Sequence, residues 1–321
     1  MAKVYIPEPV AESGLQFLLE QGYELVRGSD LSEEGMARDI AGCDAMLLRG
    51  LPCPRTLLEA GSQLKIVARH GVGYDNVDTA AATQLGIWVT NTPQALSDSV
   101  AEYTLGAILL AAKNLPQCSR ALYEGNYFYK NTHKGMDLSG KTLGILGFGR
   151  IGRAVARKAH FGLDMQILAC SRTLTQDQAP DYVTVCDRDT LLERSDVISL
   201  HIPGGNANRN LLDDDAFQRM KPGAILVNVA RGDVVDPQAL IRALEAGIVS
   251  RAVLDVQPQE PPTLQDPLCT HPNILLTPHM ASNTVECMDR MSLHAAQQIH
   301  RVLSGLQPDW PVNQPMLESR K

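Results

Sequence analysis

Three charged residues follow apolar segments in the second half of the sequence. Arg231 ends the run "AILVNVA", His279 follows "NILLTP", and Glu260 stands shortly after Asp255, which itself ends the apolar "AVL". Arginine offers a planar fork that binds a carboxylate and an adjacent oxygen, and histidine exchanges a proton near neutral pH. A neighbouring glutamate would favour the imidazolium and orient the ring. Together they predict reduction of a 2-keto acid by hydride, with His279 protonating the forming alkoxide. Taken singly, Arg231 could instead be a solvated loop charge and His279 a structural residue.

Apolar segments of strand length alternate with helical patterns along nearly the whole sequence. Four predicted strands lie at 3–7, 44–50, 64–71 and 87–93, and six more follow residue 140, from "TLGILG" to "ILLTPH". Strands that alternate with helices predict parallel sheets covered on both faces. In open α/β sheets, ligands bind at the carboxyl ends of the strands. The three charged residues are therefore expected to converge on one crevice.

Two domains are expected, because 321 residues exceed one ordinary core. Long helical patterns at 99–115 and 283–305 stand on either side of the second series of strands. This arrangement predicts a discontinuous first domain, residues 1–98 plus 284–321, and an inserted second domain, residues 99–283. Between the two series, "PQCSRALYEGNYFYKNTHKGMDLSG" has weak periodicity and several aromatic residues. We interpret it as an excursion that contacts a second subunit.

Composition excludes several classes of protein. The net charge of −7 argues against sequence-independent binding of nucleic acid or of an anionic membrane. No apolar run approaches the roughly 18 residues of a membrane span, and the first residues lack the pattern of a signal peptide. The seven cysteines are scattered, with no CxxC pair. They predict reduced thiols in a cytoplasmic protein and no metal site.

The segment "TLGILGFGRIGRAVARKA" carries a dinucleotide-binding pattern, Gly147, Gly149 and Gly152. Glycines alone are a weak signal, and the alternative is a glycine-rich turn without a ligand. Here an apolar strand precedes them and a helical pattern follows, as the motif requires. Gly147 would allow the tight turn, Gly149 the close approach of pyrophosphate, and Gly152 the packing of helix on strand. The helix N-terminus would bind the phosphates.

The end of the next strand indicates which dinucleotide binds. NAD-binding proteins carry an Asp or Glu there for the ribose 2′-OH, whereas this chain has Ser171, Arg172 and Thr173. A hydroxyl and a guanidinium suit a 2′-phosphate. The sequence therefore predicts NADP as the preferred cofactor, with NAD as the second choice. The alternative is that Arg172 stacks on adenine or faces solvent.

Several motifs, in this order and spacing, resemble the D-isomer-specific 2-hydroxyacid dehydrogenase family over nearly the full length. They include "RHGVGYDNVD", "SVAEYTLG", "GKTLGILGFGRIG", "SDVISLHIP", "MKPGAILVNVARGDVVD", "LDVQPQEPP" and "LLTPHMASNT". The resemblance implies an α/β fold of two doubly wound parallel-sheet domains. One would be a flavodoxin-like substrate domain and the other a Rossmann-type cofactor domain, with a cleft between them. The family is usually dimeric, so a homodimer is expected.

The resemblance also implies residue roles. Arg231 would bind the substrate carboxylate and carbonyl, Glu260 would support His279 as the acid/base, and the backbone N–H groups of Val72 and Gly73 would cradle the carboxylate. A further substrate contact is expected from Arg49. Asp255 would hold the nicotinamide amide. The expected cofactor contacts are Thr104, Gly147, Gly149, Arg150, Ile151, Gly152, Ser171, Arg172, Thr173, Pro203, Val229, Ala230 and Asp255.

The chain departs from the family pattern in places. The acidic ribose ligand is missing, as in the NADP-using glyoxylate and hydroxypyruvate reductases. The loop after "SLHIP" reads "GGNANRN", and Gln257 stands where an aromatic residue is common. Two alternatives to a glyoxylate or hydroxypyruvate reductase stay open. One is a short phosphoglycerate dehydrogenase, and the other is a dinucleotide-sensing binding protein like the corepressors of this family.

Overall fold

The computed structural model describes residues 1–315, which divide into two compact units. The first contains residues 1–96 and the chain from Ser282 onward, and the second contains Ser97–Ala281. The expected boundaries lay two residues later at both junctions. The first junction moves because a helix begins at Ser97 and belongs whole to the second unit. Residues 316–321 of the expected first domain lie outside the described residues.

Both units are built on parallel sheets. The first sheet has the order β2-β1-β3-β4-β5, with strands β1 (Lys3–Ile6), β2 (Glu24–Arg27), β3 (Ala45–Leu48), β4 (Ile66–Arg69) and β5 (Trp88–Thr90). The second has the order β12-β11-β10-β9-β6-β7-β8. Its strands are β6 (Thr142–Leu146), β7 (Gln166–Cys170), β8 (Val183–Val185), β9 (Val197–Leu200), β10 (Ala224–Asn228), β11 (Val249–Leu254) and β12 (Ile274–Leu276). These are the flavodoxin-like and Rossmann-type strand orders, the latter extended by one strand, so the predicted fold class is confirmed.

The helices connect successive strands. In chain order they are α1 (Glu12–Glu20), α2 (Glu33–Ile40), α3 (Arg55–Ala60), α4 (Thr79–Gln84), α5 (Ser97–Ala112), α6 (Leu115–Tyr123), α7 (Arg150–Leu163), α8 (Arg188–Arg194), α9 (Asp214–Gln218), α10 (Pro237–Glu245), α11 (Pro267–Thr270) and α12 (Val285–Leu303). Short 3-10 helices lie at Tyr127–Asn131, Gln176–Gln178 and Gly232–Val234. Among residues 1–315, no helix is long and apolar enough to cross a membrane.

Two strands of the structure were not predicted, β2 and β8. Each is short and partly exposed, and β8 lies at the edge of its sheet, as β2 does. An edge strand needs no continuous apolar run, because only one of its sides pairs with a neighbour. β3, in the interior of its sheet, is buried at all four residues and was recognisable from its sequence.

Packing in the first unit brings the two ends of the chain together. α1 and α12 lie against each other, and Ser13 Oγ donates to Asp289 O at 3.0 Å. A Cβ at Gly14 would lie only 2.3 Å from Ser292 Oγ. The absence of a side chain at Gly14 therefore permits the close helix contact that makes this unit discontinuous.

In the second unit, helices cover both faces of the sheet. Leu143 and Ile145 of β6 belong to the cluster that includes α5 and α7, whereas Leu146 belongs to the opposite cluster with α8, α9 and α10. The alternation follows from strand geometry. It leaves only the strand ends free for polar side chains, and the candidate site lies there.

Candidate active site

The glycine-rich loop follows β6, next to the point where the strand order reverses between β6 and β9. Gly147 has φ +96°, and a Cβ there would lie 2.3 Å from the carbonyl oxygen of His201. Its N–H donates to Cys170 O at 2.8 Å, which ties the loop to the end of β7. Gly147 thus meets both requirements of the turn, a left-handed backbone and no side chain.

The start of α7 has the features of a pyrophosphate site. Gly149 is the N-cap, no side chain caps the helix, and a Cβ at Gly149 would meet nothing within 4 Å. A Cβ at Gly152 would lie 2.2 Å from Gly147 O, so helix and loop are in close contact. Uncapped N–H groups beside open space bind anions well. The dinucleotide pyrophosphate therefore fits this loop, with Arg150 and Ile151 in the first turn of the helix.

The turn after β7 contains Ser171, Arg172 and Thr173. Ser171 is partly exposed, and Arg172 and Thr173 are exposed. Within residues 1–315, the Arg172 guanidinium forms no hydrogen bond or ion pair. A free guanidinium in a turn without a carboxylate fits a ribose 2′-phosphate.

Arg231 lies just beyond the end of β10 and is held by a buried asparagine. Asn228 is 1% exposed, its Nδ2 donates to Arg231 O at 2.8 Å, and its Oδ1 accepts from Ala230 N at 3.0 Å. Arg231 Nη1 donates to Ala230 O at 2.7 Å. A Cβ at Gly232 would overlap the backbone of Gln257. The loop that presents the guanidinium is therefore fixed from both sides.

His279 and Glu260 form a pair, as expected. His279 Nδ1 lies 2.8 Å from Glu260 Oε2, and Glu260 Oε1 accepts from the N–H of Gln257 at 3.0 Å. Burial tends to raise the pKa of Glu260. The hydrogen bonds from His279 and Gln257, with the nearby charge of Arg231, outweigh burial and lower that pKa. Because Glu260 occupies Nδ1, the other ring nitrogen, Nε2, is left to exchange a proton with a substrate.

The turn that carries His279 is held in a left-handed conformation. His279 has φ +50°, and its N–H donates to Asp255 O at 2.8 Å and to Thr277 O at 3.0 Å. The Asp255 carboxylate accepts from Thr277 Oγ1 at 2.7 Å and from the N–H groups of Met280 and Ala281 at 2.8 Å each. A non-glycine residue keeps a left-handed backbone only when surrounding interactions hold it there. At His279 those interactions are the hydrogen bonds that Asp255 accepts.

Two of the expected cofactor residues, Asp255 and Thr104, are fully buried. Asp255 is fully buried, and both carboxylate oxygens accept hydrogen bonds from the His279 turn. Thr104 is also fully buried, within α5, and its hydroxyl donates to Val100 O at 2.7 Å. Each side chain is hydrogen-bonded within the protein, and its expected contact with the cofactor stays a prediction.

The other expected cofactor residues follow β9 and β10. Pro203 is exposed, and its carbonyl accepts from Asn208 Nδ2 at 2.8 Å. Val229 is partly buried and Ala230 is 8% exposed. The structure thus places Pro203 after β9, and Val229 and Ala230 after β10, the strand that also leads to Arg231; β9 lies between β10 and β6, the strand that leads to the glycine loop.

The expected substrate contacts in the first unit lie after β3 and β4. Between Gly71 and Gly73 the chain turns, tied by Gly71 N to Thr92 Oγ1 at 3.0 Å and by Asn91 Nδ2 to Val72 O at 2.8 Å. In the described part of the chain, the N–H groups of Val72 and Gly73 have no acceptor. Two adjacent free N–H groups suit a carboxylate.

Arg49 lies in an exposed loop after β3. Glu8 Oε2 accepts from the backbone N–H groups of Arg49, Gly50 and Leu51 at 3.1, 2.7 and 3.1 Å. Across residues 1–315, the Arg49 guanidinium itself has no partner. The loop is fixed by Glu8, and the charged head is available to an anion.

Sequence reasoning missed three residues that position the site: Asn228, Gln257 and Tyr103. Asn228 is a polar residue in an otherwise apolar strand, which is a signal that could have been used. Gln257 Nε2 donates to Thr277 O at 3.2 Å, and no local sequence pattern predicts this contact. Tyr103 lies 174 residues before its partner Thr277, so nothing in the sequence links them.

Comparisons with known proteins agree with this arrangement. A family model described as the NAD-binding domain of D-isomer specific 2-hydroxyacid dehydrogenases matches residues 105–281. The glyoxylate reductase of Thermofilum pendens is 36% identical over 330 residues, covering 99% of this chain and 96% of that enzyme. The crystal structure of an NADPH-dependent glyoxylate/hydroxypyruvate reductase from Sinorhizobium meliloti in complex with citrate superposes with a TM-score of 0.87 at 29% identity, with full coverage of both chains.

A third relative is longer than this chain. The D-3-phosphoglycerate dehydrogenase of Archaeoglobus fulgidus is 36% identical over 318 residues, 98% of this chain but 60% of that protein. The chain therefore spans about three-fifths of that relative's length. The matches to the family model and to a reductase of equal extent, together with the paired strand-end residues, establish that the chain belongs to the D-isomer-specific 2-hydroxyacid dehydrogenase family.

Proposed function

We propose that this protein reduces a small 2-keto acid, of the glyoxylate or hydroxypyruvate kind, to the D-2-hydroxy acid by hydride transfer from NADPH or NADH. The observation that carries the proposal is the His279–Glu260 pair at 2.8 Å, with the charge of Arg231 acting on Glu260. This is an acid/base with an orienting carboxylate and a guanidinium near it, in the same unit as a dinucleotide loop.

Each residue has a chemical task in this reaction. Arg231 binds the substrate carboxylate and the keto oxygen, because its planar fork can contact both. His279 delivers the proton on Nε2 to that oxygen as negative charge develops there. Glu260, through its contact with Nδ1, keeps the ring oriented. A bound nicotinamide would supply the hydride.

NADPH is the cofactor that we propose as preferred. The support is the free Arg172 guanidinium in the turn 171–173, which contains no carboxylate that would repel a 2′-phosphate. The Sinorhizobium meliloti reductase of similar structure is itself described as NADPH-dependent. A charge-assisted hydrogen bond contributes roughly 1.5–3 kcal/mol. This corresponds to roughly 10–100-fold in affinity.

The protein is further proposed to be a homodimer. The segment that includes α6 and the 3-10 helix Tyr127–Asn131, residues 115–131, is here named the aromatic arm. It exposes large apolar side chains: Leu115, Leu122, Tyr123, Tyr127 and Phe128. Tyr123 is 90% exposed and Phe128 71% exposed. Clustered apolar exposure of this kind marks an interaction surface, and closed symmetric dimers are the commonest assembly.

Phosphoglycerate is the second candidate substrate, favoured by the 36% identity with the Archaeoglobus fulgidus enzyme. The deciding experiment measures NADPH and NADH oxidation with glyoxylate, hydroxypyruvate, pyruvate and phosphohydroxypyruvate. We expect the highest kcat/KM with glyoxylate or hydroxypyruvate and NADPH. Dominance of phosphohydroxypyruvate would favour the second candidate. Tight NADPH binding without turnover of any keto acid would favour a dinucleotide-sensing binding protein.

A further inference from the structure

A chain of hydrogen bonds runs from α5 to the turn that carries His279. Tyr103 Oη lies 2.5 Å from Thr277 Oγ1, and Thr277 Oγ1 donates to Asp255 Oδ1 at 2.7 Å. The same Asp255 carboxylate accepts from the N–H groups of Met280 and Ala281 at 2.8 Å each. Since the Thr277 hydroxyl proton goes to Asp255, the proton between Tyr103 and Thr277 must come from Tyr103.

We propose that Tyr103 is a positioning residue for His279, acting through Thr277 and Asp255 from a helix outside the strand-end loops. Tyr103 does not touch the His279 ring. Its hydroxyl fixes the Thr277 hydroxyl, which in turn fixes the carboxylate that holds the two amides after His279. The proposal rests on the proposed function, because it assigns Tyr103 a part in holding His279, the proposed acid/base, in position.

The surroundings keep Tyr103 in the form that the chain requires. The residue is partly buried against the core cluster of α5 and α7, and α5 packs on β10 and β11. Burial, together with the negative charge of Asp255, raises the pKa of Tyr103. The phenol therefore stays protonated and remains a donor across the neutral range.

The backbone geometry explains why such a distant support matters. His279 is a non-glycine residue at φ +50°, a conformation that persists only where several interactions fix it. The Gln257 amide supports the same turn by donating to Thr277 O at 3.2 Å. Tyr103 and Gln257 thus hold opposite atoms of Thr277, the hydroxyl and the carbonyl. Loss of either of these two hydrogen bonds is expected to make the turn more mobile without unfolding the unit.

The test removes the Tyr103 hydroxyl alone. Tyr103→Phe is expected to lower kcat roughly 2–10-fold, the effect of one neutral hydrogen bond, with KM for keto acid and Kd for NADPH unchanged within about twofold. Thr277→Val should lower kcat further. In the Thr277→Val background, Tyr103→Phe should have no additional effect, because its partner is already absent.

Tyr23→Phe is the matched control. Tyr23 Oη lies 2.9 Å from His300 Nδ1 in the first unit, so this change also removes one phenolic hydrogen bond. We expect it to leave kcat unchanged. Equal losses of kcat in the two variants, or additive losses of kcat for Tyr103→Phe and Thr277→Val, would overturn the proposal.

Amide hydrogen exchange separates this inference from the proposed reaction. In Tyr103→Phe, the amides of Met280 and Ala281 are expected to exchange roughly 2–10-fold faster than in the wild type, while amides of β6 keep their rates. Unchanged exchange at Met280 and Ala281 would refute the positioning role even if the enzyme is active. If the wild type reduces no keto acid, the proposed function fails, and exchange still decides whether Tyr103 holds the turn.

Discussion

At the scale of single residues, the proposed proton chemistry depends on one contact, His279 Nδ1 to Glu260 Oε2 at 2.8 Å. This contact leaves Nε2 as the ring nitrogen that is available to a substrate. The left-handed backbone at His279 sets the direction in which its side chain leaves the chain. Neither feature could be deduced from the spacing of the two residues. The sequence predicted which residue types take part, whereas the contact between them could be seen only in the folded structure.

His279→Ala is expected to lower kcat by roughly 10²–10⁴, the usual scale for loss of a general acid. Cofactor affinity should be nearly intact, because the glycine loop and the turn 171–173 lie on other strands. Steady-state kinetics together with fluorescence titration of NADPH would measure both. Near-normal turnover in this variant would show that another group delivers the proton.

Glu260 predicts an acid dependence of stability. Its pKa in the folded protein lies below the ordinary value of 4.5. The interaction therefore contributes stability that is fully present above 4.5 and is lost as pH falls through the lower folded value. Glu260→Gln should be less stable than the wild type near pH 6, and the difference should shrink in more acidic solution. Urea unfolding across this range tests it, and a difference that grows towards low pH would contradict the assignment.

At the scale of elements, strand ends supply nearly every polar group of the candidate site. β6 leads to the glycine loop, β7 to Arg172, β10 to Arg231 and β12 to His279. This much could be predicted, because apolar runs locate interior strands and parallel topology gathers their carboxyl ends. The tether formed by Asp255 could not be predicted, since its carboxylate meets the N–H groups of Met280 and Ala281 only after β11 and β12 pair.

The turn after β7 carries the prediction of cofactor choice. The wild type should prefer NADPH over NADH by at least about tenfold in kcat/KM. Ser171→Asp combined with Arg172→Ala should invert the preference, because it adds a ribose acceptor and removes the phosphate partner. Arg157→Ala is a control, since this exposed arginine lies farther along α7, and it should leave the preference unchanged. Equal use of both cofactors by the wild type would contradict this account, and Arg172 would then stack on adenine or face solvent.

At the scale of the whole molecule, the aromatic arm is the surface through which we propose that two copies associate. Light scattering should give the wild type twice the mass of one chain. Phe128→Glu combined with Tyr123→Glu should give a monomer, because two buried charges would replace apolar contacts. Phe161→Glu is the matched control, since Phe161 is 68% exposed on α7, outside the arm. A monomeric wild type, or dissociation by the control alone, would contradict the proposal that the aromatic arm forms a dimer interface.

The proposed function requires that hydride pass from the cofactor to a 2-keto acid in a site that contains His279 and Arg231. The most direct measurement supplies NADPH deuterated at the transferable position of the nicotinamide, with hydroxypyruvate as acceptor, and analyses the product by mass spectrometry and chiral separation. We expect glycerate of the D configuration with one deuterium at C2, and almost no such product with His279→Ala in the same time. Bound NADPH without deuterated product from any 2-keto acid, or product of the L configuration, would contradict it.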